Sequence, residues 1–429
     1  MHSLTYGELI RGNKNFRNLL AGQFISELGN WFNFIAGLGL VRLVSGASPT
    51  AAGLFFVARL IPFALASPIA GTFVDRFSRR QVMIWTDLFR VAIALSFLFV
   101  NDPGDLWIAY LATVLLHFFG AFFDGAKNAA APNLTGKEGL LAGTALLFST
   151  RFLLMAIGSA LGGWAAAAFG YKAAFIINAA SFLISAYTVW LIPEEATRDE
   201  ETGARMHKEG RQERPSFMTE LREGLSYTVK NHFALTILIM NVIWATGGGS
   251  INVIFERIGG VYFAGTEGWN PDVAVAMLWT ATGFGLTLGM LIARRTSIYL
   301  DRKGFNHGFI GWTLIIHGVL FSLAAFMPTL WLFSVIVFVS RAIVGVEYAV
   351  QETMFQRSLP DYIRGRISTL DRGAELTMFG LSSYVASGMM FYITPQTLTI
   401  ISGVLSALAG IVWFLREKKT EPSNAQARV

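Results

Sequence analysis

The sequence predicts an all-α membrane protein whose twelve transmembrane helices form two pseudo-symmetric six-helix bundles. Three observations predict it. Hydrophobic residues make up 53% of the 429-residue chain and charged residues only 14%, with a mean hydropathy of +0.50; a water-soluble domain of that make-up would expose large apolar patches. Apolar runs long enough to cross a hydrocarbon layer of about 30 Å recur twelve times, six on each side of one long polar stretch. The lysines and arginines between these runs gather in alternate connections, the pattern that topology imposes on a membrane protein.

The elements follow in order. Residues up to Arg17 are polar, and the first apolar run, from Leu19, is too long for a signal peptide and lacks a small-residue cleavage pattern. It reads as a first span. Spans are expected at residues 17–44, 51–74, 82–100, 105–126, 140–168 and 171–192, and then at 232–257, 272–293, 306–326, 329–352, 366–391 and 394–416. This gives an N-terminal bundle over 1–192, a linker over 193–231, and a C-terminal bundle with its tail over 232–429. The linker is rich in Glu, Arg, Lys and Gly and is expected to be mobile. Weak internal symmetry supports two halves: Lys14-Asn15-Phe16 is similar to Lys230-Asn231-His232-Phe233, and Asp124 to Asn133 is similar to Glu352 to Asp361. Nearly all loop Lys and Arg lie on the side shared by both termini, with Lys172 and Arg257 on the other, so both termini and the linker are expected in the cytoplasm.

Several function classes fall away. The chain has no cysteine, which excludes disulfides and thiolate chemistry. A net charge of +6 could suggest nucleic acid, but the basic residues sit in short connections instead of on one polar face. No H-E-x-x-H, G-x-x-x-x-G-K-[ST] or G-x-S-x-G motif occurs, so the chain is not expected to be an enzyme and no cofactor or metal is expected.

Between the second and third spans stands Gly71-Thr72-Phe73-Val74-Asp75-Arg76-Phe77-Ser78-Arg79-Arg80. The pattern G-x-x-x-D-R-x-x-R-R at that place resembles the loop signature of the major facilitator superfamily of secondary transporters. Asn13-Lys14-Asn15-Phe16-Arg17, Gln23-Phe24-Ile25-Ser26, Leu60-Ile61-Pro62, Asp87-Leu88-Phe89-Arg90, Pro360-Asp361 and Arg364-Gly365-Arg366 are similar to the branch with macrolide-efflux proteins and the enterobactin exporter. The likeness covers most of the chain. Gly158-Ser159-Ala160-Leu161-Gly162-Gly163 resembles the antiporter motif G-P-x-x-G-G, departing from it at Ser159. The resemblance implies the major facilitator fold, a central cavity and alternating access. It also implies a cytoplasmic latch in which Gly71, Asp75, Arg76 and Arg80 face Asp371, Arg372 and Glu375 at the start of span eleven; these charges serve topology as well.

Ionisable residues deep in a span are costly, roughly 2.5–3.5 kcal/mol on insertion scales, and so face a cavity or a partner. Glu27 is a candidate proton-coupling carboxylate, with a structural hydrogen bond as its alternative reading. His117 is a second candidate for proton coupling, against the plainer role of a helix-to-helix hydrogen bonder. Arg59, Arg151 and Arg341 suit an anionic or zwitterionic group held by guanidinium forks, or else neutralise Glu27, Glu347 or Glu375 inside the protein. The run Trp244-Ala245-Thr246-Gly247-Gly248-Gly249-Ser250 and the weaker Gly29-Asn30-Trp31 are either facing helix breaks or close-packing sites. Asn30, Trp31, Phe34, Trp244, Gly248, Asn252 and Glu347 complete the expected cavity with the three arginines. Phe255 is a further candidate for apolar contact.

The expected function is secondary active transport: proton-coupled efflux of a small amphipathic drug or siderophore by alternating access. A lipid or lysophospholipid transporter is the alternative within transport, and a membrane receptor or regulator of the same fold the alternative outside it. Expected partners are a small amphipathic substrate, anionic or zwitterionic, protons and membrane lipid, with no nucleic acid. A monomer in a bacterial inner membrane is expected.

Overall fold

The computed structural model describes residues 4–74, 76–197 and 217–417. Among the described residues there is no β-strand. Lipid offers no hydrogen bonds, so each span must satisfy its backbone internally. After a short helix, Tyr6–Gly12, come α1 (Lys14–Val44), α2 (Pro49–Val74), α3 (Arg79–Ser96), α4 (Pro103–Gly136), α5 (Glu138–Phe169) and α6 (Tyr171–Trp190). The second set is α7 (His232–Arg257), α8 (Pro271–Lys303), α9 (Asn306–Ala324), α10 (Leu330–Ser358), α11 (Asp361–Met389) and α12 (Pro395–Arg416). Ten of these are long and apolar enough to cross a bilayer. The other two, α1 and α11, carry polar residues through their length: Gln23, Glu27, Asn30 and Asn33 in one, and Asp371, Arg372 and Glu375 in the other.

Local chemistry sets the boundaries. An Asn side chain caps the first helix of each set, Asn13 Oδ1 accepting the Phe16 N–H at 2.9 Å and Asn231 Oδ1 the Ala234 N–H at 3.0 Å. Gly136, at φ 65°, divides α4 from α5, a conformation that glycine adopts without a Cβ clash. α8 continues to Lys303, past the expected end at 293. Its 33 residues span about 50 Å at 1.5 Å each, so it outruns the bilayer, and its charged last turn stops at Gly304.

Two open readings are decided and one expectation is corrected. First, α7 is continuous through Gly247, Gly248 and Gly249; these glycines admit close neighbours, since a Cβ on Gly249 would lie 2.4 Å from the Phe379 carbonyl oxygen and one on Gly247 2.8 Å from that of Ser402. The irregular turn comes later, a π-helical Ile258–Phe263. Second, α1 runs unbroken past Gly29, which packs on Ser181 and Asn178 of α6. Third, part of the linker is helical: Phe217–Lys230 lies against α11, with Glu223 paired to Arg366. The rest of the linker, 198–216, falls outside the described residues.

α5 runs along α8 and α2 along α11, and these two seams join the first six helices to the last six. Small residues permit the approach. A Cβ on Gly283 of α8 would meet the Ala156 backbone nitrogen at 2.5 Å. Gly283→Leu is therefore expected to wedge α5 from α8 and to destabilise the protein by roughly 1–3 kcal/mol, the usual cost of overpacking. Thermal unfolding in detergent checks it; an unchanged midpoint would contradict the close seam.

The cores show how the two sets meet. One cluster mixes both, placing Trp31, Phe34, Phe55 and Phe97 with Phe255, Phe263, Leu278 and Phe333. At the opposite end the cores are separate: one holds Leu9, Phe16, Phe122 and Ile192, and another holds Ile237, Leu314, Phe355 and Trp413. The sets thus touch at one end and part at the other. The parted end carries the Arg79–Arg80 turn, the Gly136 turn and the Arg302–Lys303 turn, and is the basic face.

Candidate substrate cavity

A cavity opens inside the first six helices and reaches α11. Gln23, Ser26, Glu27, Asn30 and Asn33 line it from α1, recurring at three- and four-residue steps that put them on one helix face. Arg59 enters from α2, Arg90 from α3, His117, Gly120, Asp124 and Lys127 from α4, Arg151 from α5 and Arg372 from α11. A second compartment shares Gln23, Glu27, Asp124, Lys127 and Arg151 and extends to Pro132 and Thr144, toward the Gly136 turn. The cavity therefore leads to the basic face.

Its charges fall into two groups. Arg90 Nη1 donates to Asp87 at 2.9 Å, Lys127 Nζ to Asp124 at 2.6 Å and Arg372 Nη1 to Glu375 at 2.7 Å. These three cations are already matched. Arg59 and Arg151 are different: among the described residues neither has a carboxylate within ion-pair reach. Arg59 is half-buried, its guanidinium 4.1 Å from the Phe34 ring centroid, a cation–π contact that leaves its donors toward the cavity. Arg151 is exposed to the same space. Among the described residues Glu27 receives only Asn30 Nδ2, at 3.4 Å, while Asn30 Oδ1 accepts from Arg90 at 3.3 Å. Two unmatched guanidinium groups and one weakly held carboxylate thus share one polar chamber. His117 stands beside them, its Nδ1 2.8 Å from the Thr113 carbonyl, which assigns the ring proton to Nδ1 and leaves Nε2 as acceptor.

The structure brings Glu27, Asn30, Arg59, His117, Arg151 and Arg372 together. Of the other expected cavity residues, Trp31 and Phe34 lie under the Arg59 guanidinium, and the rest are in the last six helices. Trp31 and Phe34 are buried at the closed end, where Phe34 meets the ring of Trp279 at 5.3 Å and Phe255 meets it at 5.3 Å, so these aromatics form the floor where the two sets touch. Gly248 packs on Phe379, and Asn252 donates to Ser383 Oγ at 3.0 Å. Arg341 is buried 5.7 Å from the centroid of Phe321. Trp244 and Glu347 line a separate small cavity in the last six helices.

The hinge makes its described contacts within the first set. Arg80 donates to the Trp190 carbonyl at the end of α6 at 2.6 Å, and Arg79 to that of Thr197 in the turn that follows at 3.0 Å. Asp371 accepts from Asn241 at 2.9 Å, and Gly71 faces open space. Among the described residues no hydrogen bond or ion pair joins Arg76 or Arg80 to α11; Asp75 lies outside them. The physical reason is the separation of the cores at this end.

At the closed end is a site the sequence reading missed. Arg42 of α1 donates to Glu256 of α7 at 3.0 Å and to Asp272 of α8, whose other oxygen accepts from Tyr171 of α6 at 2.9 Å. Arg257 donates to the Ala47 carbonyl at 2.6 Å. The signal was a cation at the outer end of span one facing acids at the matching ends of spans seven and eight.

Twelve long helices, a seam on each side and a polar chamber sealed at one end define a membrane transporter. No feature of an enzyme is needed. The Major Facilitator Superfamily model matches residues 19–370, and the chain belongs to that family. It is 24% identical over 417 residues to the uncharacterized MFS-type transporter YfiS of Bacillus subtilis, covering 96% of this chain and 95% of that one. It is also 24% identical to macrolide efflux protein A of Enterococcus faecalis, over 72% of this chain and 92% of the relative. Among solved structures, a bacterial homologue of the iron transporter ferroportin in an inward-facing state matches with TM-score 0.69 at 16% identity, over 94% of this chain and 99% of that one. The nucleoside transporter NupG matches with TM-score 0.67 at 14% identity, over 94% and 99%. These likenesses show the fold, and the chain is an integral membrane transporter of small molecules.

Proposed function

We propose that the protein exports a small amphipathic compound with an anionic or zwitterionic group from a bacterial cytoplasm, in exchange for protons. The observation that carries this reading is the pair of unmatched cations, Arg59 and Arg151, sharing one chamber with Glu27. A carboxylate or phosphate on the substrate completes the two guanidinium groups. An ammonium on the same molecule pairs with Glu27. A proton taken up by Glu27 cancels that attraction, so proton and substrate compete for one carboxylate, which is the requirement for exchange. His117, with Nε2 as acceptor, passes the proton.

The positive-inside rule sets the basic face, and so the open end and both termini, in the cytoplasm. The N-terminal bundle over 1–192 and the C-terminal bundle over 232–429 then rock about the two seams. In the opposite state the parted ends close, and the hinge around Asp75 and Arg76 meets the start of α11. The likeness to a macrolide efflux protein supports export.

The test uses vesicles with the purified protein and an internal pH dye, challenged with macrolides, zwitterionic amphipaths and acidic amphipaths in turn. At least one compound is expected to elicit proton movement that Glu27→Gln abolishes with the protein still folded. Normal coupled flux in Glu27→Gln would remove the proton assignment. A phospholipid as the sole active compound would favour the lipid reading.

A further inference from the structure

We propose that the last six helices hold a proton-binding site of their own at Glu347, in a small cavity apart from the substrate chamber. Glu347 is 3% exposed, lines this cavity, and has a buried Oε1 without a hydrogen-bond partner. Around it stand Asn241 and Trp244 of α7, Leu314 of α9, Tyr348 and Gln351 of α10 and Glu375 of α11.

Asn241, Gln351 and Glu375 among these are committed to other partners. Asn241 Nδ2 donates to both oxygens of Asp371, at 2.9 and 3.2 Å, and Asn241 Oδ1 accepts from Gln351 at 2.9 Å. Glu352 accepts from Gln356 at 2.6 Å. His317 of α9 is turned to Ser340, its Nδ1 2.5 Å from Oγ. α8 presents Gly285 and Gly289 to α10, and its Asp301 is paired with Arg357 toward the far end of α10. Arg341 is held against Phe321, and Arg151 across the seam lines the substrate chamber. Arg372 is the cation at hand, and it is bound to Glu375 at 2.7 Å.

An ionised Glu347 would be a buried anion without a counter-charge and beside a second carboxylate, the arrangement that burial and like charge both disfavour. Adding one proton to an Oε atom converts the carboxylate to a neutral acid and removes the conflict. A metal cation fits less well. The Asn241 carbonyl oxygen is already engaged, and among the described residues no group of three or more His, Asp or Glu side chains is placed to hold a metal.

The site rests on the proton-coupled reading only for what its proton would drive. Its test therefore needs no substrate: infrared difference spectra of the full chain in lipid, recorded as pH is raised, follow the C=O stretch of a buried carboxylic acid. The band is expected in the wild type and in Glu27→Gln, weakening as pH rises, and absent from Glu347→Gln, whose unfolding midpoint stays close to that of the wild type. The same band in Glu347→Gln would overturn the assignment. So would a wild-type band indifferent to pH, or one that sodium chloride removes at constant pH. Failure here leaves the vesicle experiment untouched, and the absence of substrate-driven flux would leave this site standing.

Discussion

Replacing Arg42 with alanine is expected to unlock the closed end of the molecule. Arg42, Glu256 and Asp272 have side chains only 9%, 3% and 8% exposed, and the arginine is the shared partner of both acids. Without it Asp272 keeps the Tyr171 hydroxyl, and Glu256 keeps no described partner. Breaking a buried ion pair from one side costs about 3–5 kcal/mol, because the remaining charge stays desolvated. That cost falls on the state in which the two sets touch here, since separation would let water reach both acids. A shift of about 3 kcal/mol changes the balance between states by roughly a hundredfold. Arg42→Lys keeps the charge but loses the fork, and should fall between. Spin-label distances across the closed end, between cysteines introduced into a chain that has none, check it. Unchanged distances in Arg42→Ala would contradict the lock.

The second large effect concerns recognition. Arg59→Gln and Arg151→Gln are each expected to weaken binding of an acidic or zwitterionic substrate by about 10- to 100-fold, since a hydrogen bond to a charged group contributes roughly 1.5–3 kcal/mol. A neutral analogue should bind the variants and the wild type alike. Lys127→Gln should not reproduce this selectivity, because Lys127 is matched to Asp124. Equilibrium binding of a charged and a neutral member of one compound series measures the difference; equal losses for both would show that the arginines hold the fold and not the ligand.

Much of the fold was legible because lipid allows a chain few solutions. Span positions followed from hydropathy, and ends went astray where a helix leaves the bilayer without stopping, as α8 does beyond residue 293. The glycine run in α7 left helix break and close packing both open, because sequence shows that a backbone is bare and not what approaches it; Phe379 and Ser402 lie far away along the chain. The chamber was read in part. Glu27, Arg59 and Arg151 announced themselves as isolated charges in apolar runs. Arg341 gave the same signal but packs on an aromatic ring in the other set. Asp124 and Lys127 were passed over because an i, i+3 pair near a span end looks like a solvated turn. Arg42 escaped for a related reason: its meaning depends on acids more than two hundred residues away, which only the meeting of the two sets brings into contact.

The central claim is a charged chamber that one face of the membrane reaches at a time. Gly120 lines it, and a Cβ there meets nothing within 4 Å, so Gly120→Cys places one thiol in the chamber without crowding. A membrane-impermeant maleimide, applied to sealed vesicles of known orientation, measures which side reaches that thiol. The account predicts labelling from the basic face, protection from the opposite face, and labelling from that opposite face once Arg42→Ala is added. Equal labelling from both faces in the parent, or protection from the basic face, would contradict it.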